Sequence, residues 1–352
     1  MSLSTQKALL LRSKGAPFEL TTRPIPSPGP GQVLIKNVAV ALNPVDKYIQ
    51  KFGFIVDAYG YPALAGSDGA GDIVEVGEGV SGRWVAGDKV LYQSFWAQDR
   101  ATFQEYTLAD AVRIAKIPEN LTYEQAATVP LGFSTAAVGL YAPFAPRGGA
   151  GLTPPWEEGG RGKYAGKPAL VIGGASSVGQ FALQLLKLSG FSPIITTASA
   201  HNADYCKIAG ATHFIDYHAR PYASLAASIS QITTEPLELI YDAISSPETM
   251  VASWNILAPG GTLGVVLQPS VAVPGESDGK RLVWIFAVIN DGDHMQFGAE
   301  FYKHLSGMLE MGDIKPNRIE LLKGGLEGIP DGVERMLSIS GVKLIARVDE
   351  TP

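Results

Sequence analysis

The 352-residue sequence is poor in the residue types that form disulfides and zinc sites. It contains one cysteine, Cys206, and five histidines, and neither residue type occurs between Met1 and Pro130. A single cysteine excludes an intramolecular disulfide and any multi-cysteine zinc site. The histidines form no spaced ligand pair, so we expect surface or core positions for them and no bound metal.

Long apolar runs and an excess of charge are also missing. Charged residues make up 18% of the chain and the net charge is −6, which argues against nucleic acid or an anionic membrane as a partner. No apolar run approaches the roughly 20 residues of a membrane span. The apolar core of the N-terminal stretch, residues 8–11, is too short for a signal peptide. We therefore expect a soluble cytoplasmic protein, long enough for two domains.

One strand–turn–helix pattern stands out between Lys167 and Gly190. The apolar run 169–172 predicts a buried strand, and apolar residues at helical spacing follow from residue 178. The turn between them consists of small residues. Backbone N–H groups and the positive end of the helix dipole make such a turn a phosphate site. We assign cofactor binding to Gly174, Ala175, Ser176, Ser177, Val178 and Gly179.

The glycine pattern of this turn is incomplete. The strict G-x-G-x-x-G spacing would place glycine at position 176, where the sequence has serine. Small residues at a strand–helix turn also occur for packing alone. The turn favours dinucleotide binding, but taken singly it leaves a structural role open.

The pattern of apolar residues changes near residue 130, from strand-like to helix-like. Before this point, short strand-like runs are broken by Gly and Pro, which predicts a compact β domain. Thr122, with Gln125 three residues later, predicts a capping box at a helix start, and residues 134–141 predict a further helix. The strand predictions in this part are residues 7–12, 32–41, 71–76, 89–93 and 103–108.

From residue 169 to residue 267, strands and helices alternate with short links. This alternation predicts a doubly wound parallel sheet with helices on both faces, and thus an α/β protein. The predicted strands are 169–172, 193–198, 213–215, 237–243 and 261–267, and the predicted helices are 180–189, 203–209, 222–232 and 249–257.

The C-terminal part predicts a last strand of this sheet at 282–289, a helix at 294–311 and a strand–helix–strand tail at 319–348. We expect the tail to return to the β domain. We therefore place the β domain at residues 1–128 and 290–352, and the cofactor domain at residues 129–289. The Gly- and Pro-rich segment 143–168 predicts an exposed loop, although a lid or an interaction loop remains an alternative.

The region after the glycine turn bears on the choice of dinucleotide. NAD enzymes place an acidic residue about twenty residues beyond the turn to bind the ribose 2′-hydroxyl. Here Ser199 stands at that distance, and no Asp or Glu occurs between Glu158 and Asp204. The missing carboxylate permits a 2′-phosphate, although no Arg is present in this loop. Residues able to donate hydrogen bonds to that phosphate are Ser199, His201, Asn202 and Tyr217, each of which also suits a helix cap or solvated turn.

Several short motifs occur in a characteristic order along most of the chain. They are residues 41–46 (ALNPVD), 66–71 (GSDGAG), 87–90 (GDKV), 103–106 (FQEY), 126–137, the turn 173–179, 241–243 (YDA) and 260–262 (GGT). In this order they resemble the medium-chain dehydrogenase/reductase superfamily, in its zinc-free quinone oxidoreductase and enoyl reductase branch.

Within that branch, the chain is most similar to fungal trans-acting enoyl reductases that serve polyketide synthases. The insertion 143–168, the turn GGASSVG and the run TTASAHNADYCK carry this likeness. The resemblance implies a GroES-like β domain formed from both chain ends, a central Rossmann domain and an active site in the cleft. It implies a carrier-bound or small enoyl substrate, a polyketide synthase as partner, and a monomer or homodimer.

Zinc alcohol dehydrogenases of this superfamily bind catalytic zinc through Cys and a His–Glu pair. The corresponding positions here read Asn43-Pro44-Val45-Asp46 and Gly66-Ser67-Asp68. Because zinc prefers thiolate and imidazole ligands, we expect no zinc at these positions.

The resemblance also implies that Asn43 and Thr135 line the nicotinamide end of the cofactor. Related mitochondrial-type enoyl reductases use a catalytic tyrosine eleven residues after that Asn, but this sequence has Phe54 there. Tyr48 is then the candidate proton donor, together with Asn43 in the catalytic group, while a structural aromatic role or a solvent proton remains open. We include Leu267 and Ile289, at the ends of two predicted strands, among the cofactor-binding residues.

These observations predict an NADPH-dependent, zinc-independent oxidoreductase that reduces an activated C=C bond, with an enoyl thioester as the favoured substrate. Quinones or small enones are the alternative substrates. An NADPH-binding sensor or scaffold with little turnover is the alternative of a different class, and the phenylalanine at position 54 is the feature that favours it.

Overall fold

The computed structural model describes residues 4–80, 82–145, 147–269 and 277–352. The chain forms two compact units. The first comprises Met1–Leu131, Val288–Glu310 and Pro316–Pro352, and the second comprises Gly132–Ala287 and Met311–Lys315. This division differs from the predicted domain boundaries at residues 129–131, 288–289 and 311–315. Within the second unit, the Lys315 N–H donates to Gln184 Oε1 at 2.6 Å, and Asp313 forms an ion pair with Arg161.

The strands in the described residues form a two-stranded ribbon and two larger sheets. In chain order they are β1 (Thr5–Leu11), β2 (Phe18–Pro24), β3 (Gln32–Ala41), β4 (Asp68–Val76), β5 (Lys89–Gln93), β6 (Tyr106–Asp110), β7 (Ile114–Lys116), β8 (Ala169–Ile172), β9 (Ile194–Ala198), β10 (His213–Asp216), β11 (Leu239–Asp242), β12 (Thr262–Val265), β13 (Arg281–Trp284), β14 (Ile319–Leu322) and β15 (Lys343–Arg347).

Several helices begin at a residue whose side chain caps the first turn, among them Thr122, Ser176 and Ser246. Thr122 Oγ1 accepts the Gln125 N–H and Gln125 Oε1 accepts the Thr122 N–H, so the predicted capping box is confirmed. In chain order the α-helices are α1 (Pro44–Phe52), α2 (Tyr123–Ala127), α3 (Pro130–Tyr141), α4 (Ser177–Leu188), α5 (Ala203–Ala209), α6 (Leu225–Ser230), α7 (Pro247–Ile256), α8 (Met295–Glu310) and α9 (Ile329–Arg335). Among the described helices, none has the length and apolar character needed to cross a bilayer.

The first unit is built on a mixed sheet with the order β14-β15-β3-β4-β5-β7, in which β6 also pairs with β3. The core on this sheet includes the fully buried Val33, Ile35 and Val90. β15 pairs antiparallel with β3, so a segment near residue 345 joins a strand that begins at residue 32. The predicted strands 32–41 and 89–93 are confirmed at both ends, whereas β2 and β7 were not predicted.

The second unit contains a parallel sheet with the order β10-β9-β8-β11-β12-β13. Counted within the unit, this is the strand order 3-2-1-4-5-6 of a dinucleotide-binding fold. Its core includes Leu170, Ile240 and Leu263, which are all fully buried. The order reverses between β8 and β11, and ligands of such sheets bind outside the carboxyl ends of the strands at this point.

Two predictions about this sheet are corrected. The apolar run 282–289 is not one strand, because β13 ends at Trp284 and the first unit resumes at Val288. The predicted helix 222–232 is a 3-10 turn, Tyr222–Ser224, followed by the shorter α6.

The segment 143–168 is not simply the exposed loop predicted from its composition. The ring of Trp156 lies 5.2 Å from Tyr141 and 6.5 Å from Phe133, between ring centroids. Pro146 lies outside the described residues. The insertion therefore contributes an aromatic contact to the second unit in addition to its exposed turns.

Candidate functional site

The predicted phosphate-binding turn follows β8 at the switch point of the parallel sheet. Gly173 has a φ of 76°, in the left-handed region that favours glycine. A Cβ on Gly174 would lie 2.1 Å from Thr196 Oγ1, and a Cβ on Gly179 would lie 2.2 Å from the Gly173 carbonyl oxygen. The turn thus needs glycine at these positions to pack helix α4 closely against the sheet.

The start of α4 offers free backbone donors. Ser176 is the N-cap, and its Oγ accepts the Gly179 N–H at 3.0 Å. The N–H groups of Ala175 and Val178 donate to no other described residue. Together with the helix dipole, two such donors suit the pyrophosphate of a dinucleotide. The residues present at this turn therefore fit a nicotinamide dinucleotide.

A second polar cluster lies where the adjacent strands β9 and β10 end. Ser199 Oγ is 3.0 Å from the Tyr217 hydroxyl and 3.4 Å from His218 Nε2. Asn202 Nδ2 lies 3.1 Å from His201 Nε2. The structure thus joins Ser199 directly to Tyr217, and it places the other two predicted 2′-phosphate ligands on the 3-10 turn that follows Ser199.

The surroundings of Tyr217 are aromatic, with one carboxylate nearby. Its ring centroid lies 4.2 Å from that of His218 and 5.9 Å from that of Tyr222, nearly parallel to the latter. Asp216, at the end of β10, was not considered in the sequence analysis. Its Oδ1 accepts the His218 N–H at 3.0 Å, so a backbone donor engages this carboxylate.

The other predicted cofactor residues are distributed over both units. Leu267 lies two residues beyond β12, at the carboxyl edge of the parallel sheet. Thr135 is on α3, where its carbonyl oxygen accepts a hydrogen bond from the Tyr241 hydroxyl at 2.8 Å. Ile289 is buried in the first unit and does not end a strand, contrary to the prediction.

In the first unit, Asn43 belongs to a buried polar cluster that was not predicted from the sequence. Its Nδ2 donates to Asp68 Oδ2 at 2.9 Å, and its Oδ1 accepts from Lys343 Nζ at 2.5 Å. Lys343 Nζ also lies 3.1 Å from Asp68 Oδ2, and the two side chains are 4% and 0% exposed. The Leu131 N–H donates to the other oxygen of Asp68 at 2.6 Å. The Asn43 amide is therefore held between a buried ammonium and a buried carboxylate.

Asp46 completes this cluster from the first turn of α1. Its carboxylate accepts the N–H groups of Asn43 at 2.8 Å and Gly66 at 3.1 Å. Burial raises the pKa of Asp46 from 3.8 to about 7, against the lowering effect of these backbone hydrogen bonds. Because the folded state then holds the proton more tightly than the unfolded state, Asp46 makes stability fall as the pH rises from about 4 to about 7.

Tyr48 lies on the same helix but does not join the cluster. It is half-buried, its ring centroid is 6.3 Å from that of Phe52, and its hydroxyl makes no hydrogen bond with another described residue. Phe54 follows the end of α1, and the next residue, Ile55, has a φ of 66°. A left-handed conformation is costly for a β-branched residue, and such strain occurs preferentially at functional sites.

Within the described ranges, no three side chains of His, Cys, Asp or Glu form a group that could hold a metal ion. The two carboxylates at the positions that correspond to the zinc site of alcohol dehydrogenases, Asp46 and Asp68, are instead engaged by backbone N–H groups, Asn43 and Lys343.

Comparisons with known proteins agree with this two-unit architecture. An alcohol dehydrogenase GroES-like domain model matches residues 29–119, in the first unit, and a zinc-binding dehydrogenase model matches residues 177–274, in the second. The chain belongs to the medium-chain dehydrogenase/reductase superfamily. The predicted superfamily, the GroES-like domain and the parallel-sheet domain are confirmed.

Individual relatives of this superfamily match over nearly the whole chain. A zinc-type alcohol dehydrogenase-like protein of Schizosaccharomyces pombe is 29% identical, over 97% of this chain and 100% of its own. A trans-enoyl reductase of a Penicillium species is 29% identical, over 95% of each chain. The crystal structure of an alcohol dehydrogenase superfamily protein from Novosphingobium aromaticivorans has a TM-score of 0.78 at 24% identity, over 96% of this chain and 99% of the other, and shows the same fold.

Proposed function

We propose that this protein is an NADPH-dependent, zinc-independent oxidoreductase that reduces the C=C bond of an enoyl thioester. The choice of NADPH depends on one observation, the Ser199–Tyr217 hydroxyl pair at the ends of β9 and β10. An NAD enzyme carries a carboxylate near this position for the ribose 2′-hydroxyl, whereas hydroxyl groups can donate hydrogen bonds to the oxygens of a 2′-phosphate. The enoyl substrate is supported by the similarity to trans-enoyl reductases.

Bound NADPH would supply the hydride, and the chain supplies binding and orientation. The N–H groups of Ala175 and Val178, in the turn 174–179 at the start of α4, bind the pyrophosphate. Hydroxyl and amide donors after β9 and β10 bind the 2′-phosphate. Asn43, Thr135, Leu267 and Ile289 are proposed at the nicotinamide side, and Tyr48 as the proton donor to the α-carbon of the substrate.

Zinc independence is supported by the cluster around Asn43. A buried ammonium lies 3.1 Å from Asp68, and a second cation beside it would be repelled. The partner that we propose is an acyl carrier, either a small thiol or a carrier domain of a polyketide synthase. The same site would then accept the enoyl group whichever thiol carries it.

The substrate proposal is tested by NADPH consumption with crotonyl-coenzyme A, a small enone and a quinone. We expect turnover of the crotonyl thioester at a higher kcat/KM than that of either alternative substrate. Turnover of the quinone alone would assign the protein to the quinone reductases. Tight NADPH binding without turnover of any of the three would favour a sensor or scaffold.

Replacing Tyr48 by phenylalanine tests the proton donor. General acid catalysis contributes at least about a hundredfold in rate, so we expect kcat to fall by about that factor while the dissociation constant for NADPH stays within twofold. Tyr59→Phe is the matched control. Tyr59 is 47% exposed, and this substitution also removes one tyrosine hydroxyl from the first unit. Wild-type kcat in the Tyr48 variant would dismiss the assignment.

Metal analysis tests zinc independence. We expect the purified protein, incubated with zinc chloride and then desalted, to retain far less than one zinc per chain, because Asp68 belongs to no group of three His, Cys, Asp or Glu side chains in the described residues that could bind it. Inductively coupled plasma mass spectrometry of the acid-digested protein measures the ratio of zinc to protein. One tightly held zinc per chain would contradict the proposal.

A further inference from the structure

A cavity lies at the edge of the parallel sheet opposite to the glycine turn. Leu239, Thr262 and Arg281, which begin β11, β12 and β13, contribute to its wall. Its volume is about 120 Å³, and it is partly open to solvent. Because each of these strands is four residues long, the cavity lies roughly 10 Å from the carboxyl edge where the dinucleotide is proposed to bind.

Residues of the insertion 143–168 contribute to the wall of this cavity. Ala150, Leu152 and Tyr164 line it, and the Tyr164 ring is stacked on that of Phe191 with centroids 5.0 Å apart and planes 16° apart. The wall of the cavity thus combines polar and apolar surface in about equal parts, and aromatic rings contribute to the apolar part. The proposed reaction gives this lining no role.

Arg281 is the unusual group in the wall. Its Nε is buried and has no hydrogen-bond partner, and its guanidinium forms no ion pair with another described residue. The guanidinium carbon lies 4.9 Å from the ring centroid of Phe144, which holds the group in place. A buried donor without an acceptor is costly, so the side chain is prepared for a ligand that accepts hydrogen bonds.

The charges at the cavity specify the ligand further. Lys167 and Glu238 form an ion pair at 3.0 Å, which leaves Arg281 as the uncompensated charge among the residues that line the cavity. A single guanidinium matches one carboxylate through two parallel hydrogen bonds. We propose that this cavity binds a small organic monocarboxylate, with its acid group on Arg281 and its flat apolar part against Tyr164.

The experiment is a calorimetric titration of the full-length protein with benzoate, with its neutral isostere benzamide and with inorganic phosphate, each with and without saturating NADPH. We expect benzoate to bind about tenfold more tightly than benzamide or phosphate, since hydrogen bonds to a charged group are worth at least that factor. We expect saturating NADPH to leave the dissociation constant for benzoate unchanged.

Arg281→Met should weaken benzoate binding about tenfold or more, because it removes the charge and both hydrogen bonds while keeping an apolar stem. Arg147→Met is the matched control. Arg147 also lies over aromatic rings, at 4.9 Å from both Trp284 and Phe286, but it does not line the cavity. If Arg281→Met fails to fold, Leu152→Trp, which narrows the cavity and keeps the arginine, should abolish benzoate binding.

Four results would overturn the inference. They are equal binding of benzoate and benzamide, equal binding of benzoate and phosphate, competition between benzoate and NADPH, and unchanged benzoate binding in Arg281→Met or, where that variant does not fold, in Leu152→Trp. None of these results bears on turnover of an enoyl thioester, so this site and the proposed reaction are tested independently.

Discussion

Replacing Lys343 by methionine is expected to lower the free energy of unfolding of the first unit by about 3–5 kcal/mol. The substitution leaves the carboxylate of Asp68 completely buried, with hydrogen bonds from Asn43 and Leu131 but without its countercharge. Removing one partner of a buried ion pair is far more costly than removing both. Denaturant titration measures the loss, and hydrogen exchange of peptides from β3, β4 and β15 assigns it to this unit.

Two further variants make the interpretation specific. Lys303→Met breaks an ion pair with Glu300 in which both side chains are about half exposed, and should cost at most about 0.5 kcal/mol. The double variant Lys343→Met with Asp68→Asn removes both buried charges and should recover most of the lost stability. A single Lys343 variant as stable as the wild type would mean that the ion pair contributes nothing to the folded state.

The same cluster bears on catalysis in the proposed reaction. In the double variant, the Asn43 amide loses the ammonium that fixes its oxygen, while the buried charges of Lys343 and Asp68 are removed together. If the orientation of Asn43 matters for the reaction, this variant should show a lower kcat at nearly unchanged stability. The single variant Lys343→Arg keeps a cationic donor beside Asn43. It should therefore retain more of the wild-type kcat than the double variant does.

Replacing Ser199 by aspartate is expected to weaken NADPH binding about a hundredfold. A carboxylate about 5 Å from a phosphate charge repels it by about 3 kcal/mol at an effective dielectric constant of 20, which corresponds to roughly that factor. NADH, which has no 2′-phosphate, should bind no more weakly than to the wild type, because aspartate can accept its ribose hydroxyl. Fluorescence titration with both nucleotides gives the two dissociation constants.

Ser230→Asp provides the charge control for this experiment. Ser230 ends α6 and is exposed, so the variant has the same net charge as Ser199→Asp but carries it away from the Ser199–Tyr217 pair. Its dissociation constant for NADPH should match that of the wild type. An unchanged NADPH affinity in Ser199→Asp would remove Ser199, and with it the hydroxyl pair, from the 2′-phosphate site.

The parts of the fold that local signals determine were predicted well. The run 169–172, the small-residue turn and the first apolar residues of α4 are contiguous, so strand, turn and helix follow directly from spacing. Thr122 and Gln125 formed their capping box because both partners lie within one helical turn. The parallel sheet followed from the regular alternation of short strands and helices.

Predictions from composition and from apolar runs were wrong or incomplete in two segments, 282–289 and 143–168. The run 282–289 is continuously apolar, but β13 ends at Trp284, and Val288 and Ile289 are already buried in the first unit. Ile289 therefore does not end a strand of the parallel sheet as predicted. The Gly- and Pro-rich segment 143–168 predicted a loop correctly, but its composition does not reveal that Trp156 and Tyr164 pack against aromatic partners of the second unit.

The charged groups that hold the Asn43 amide, Asp68 and Lys343, had no local signal in the sequence. A lysine at the start of a strand is ordinarily assigned to the surface, since lysine is almost never fully buried without a partner. Lys343 is buried because its strand pairs with β3, next to Asn43, and because Asp68 begins the strand on the other side. Such a partner set follows from strand pairing between distant segments, which spacing along the sequence does not encode.

The hydrogen bond between Asn43 and Lys343 joins positions 300 residues apart, and this separation bears on how the protein is made. A ribosome must add about 300 residues after β3 before β15 can pair with it. The second unit, continuous from Gly132 to Ala287 apart from the short piece Met311–Lys315, can collapse much earlier. Contacts of such long range form slowly, so nascent chains expose an unpaired edge of β3 late in translation. Chaperones or slower expression at low temperature should therefore raise the yield of folded protein.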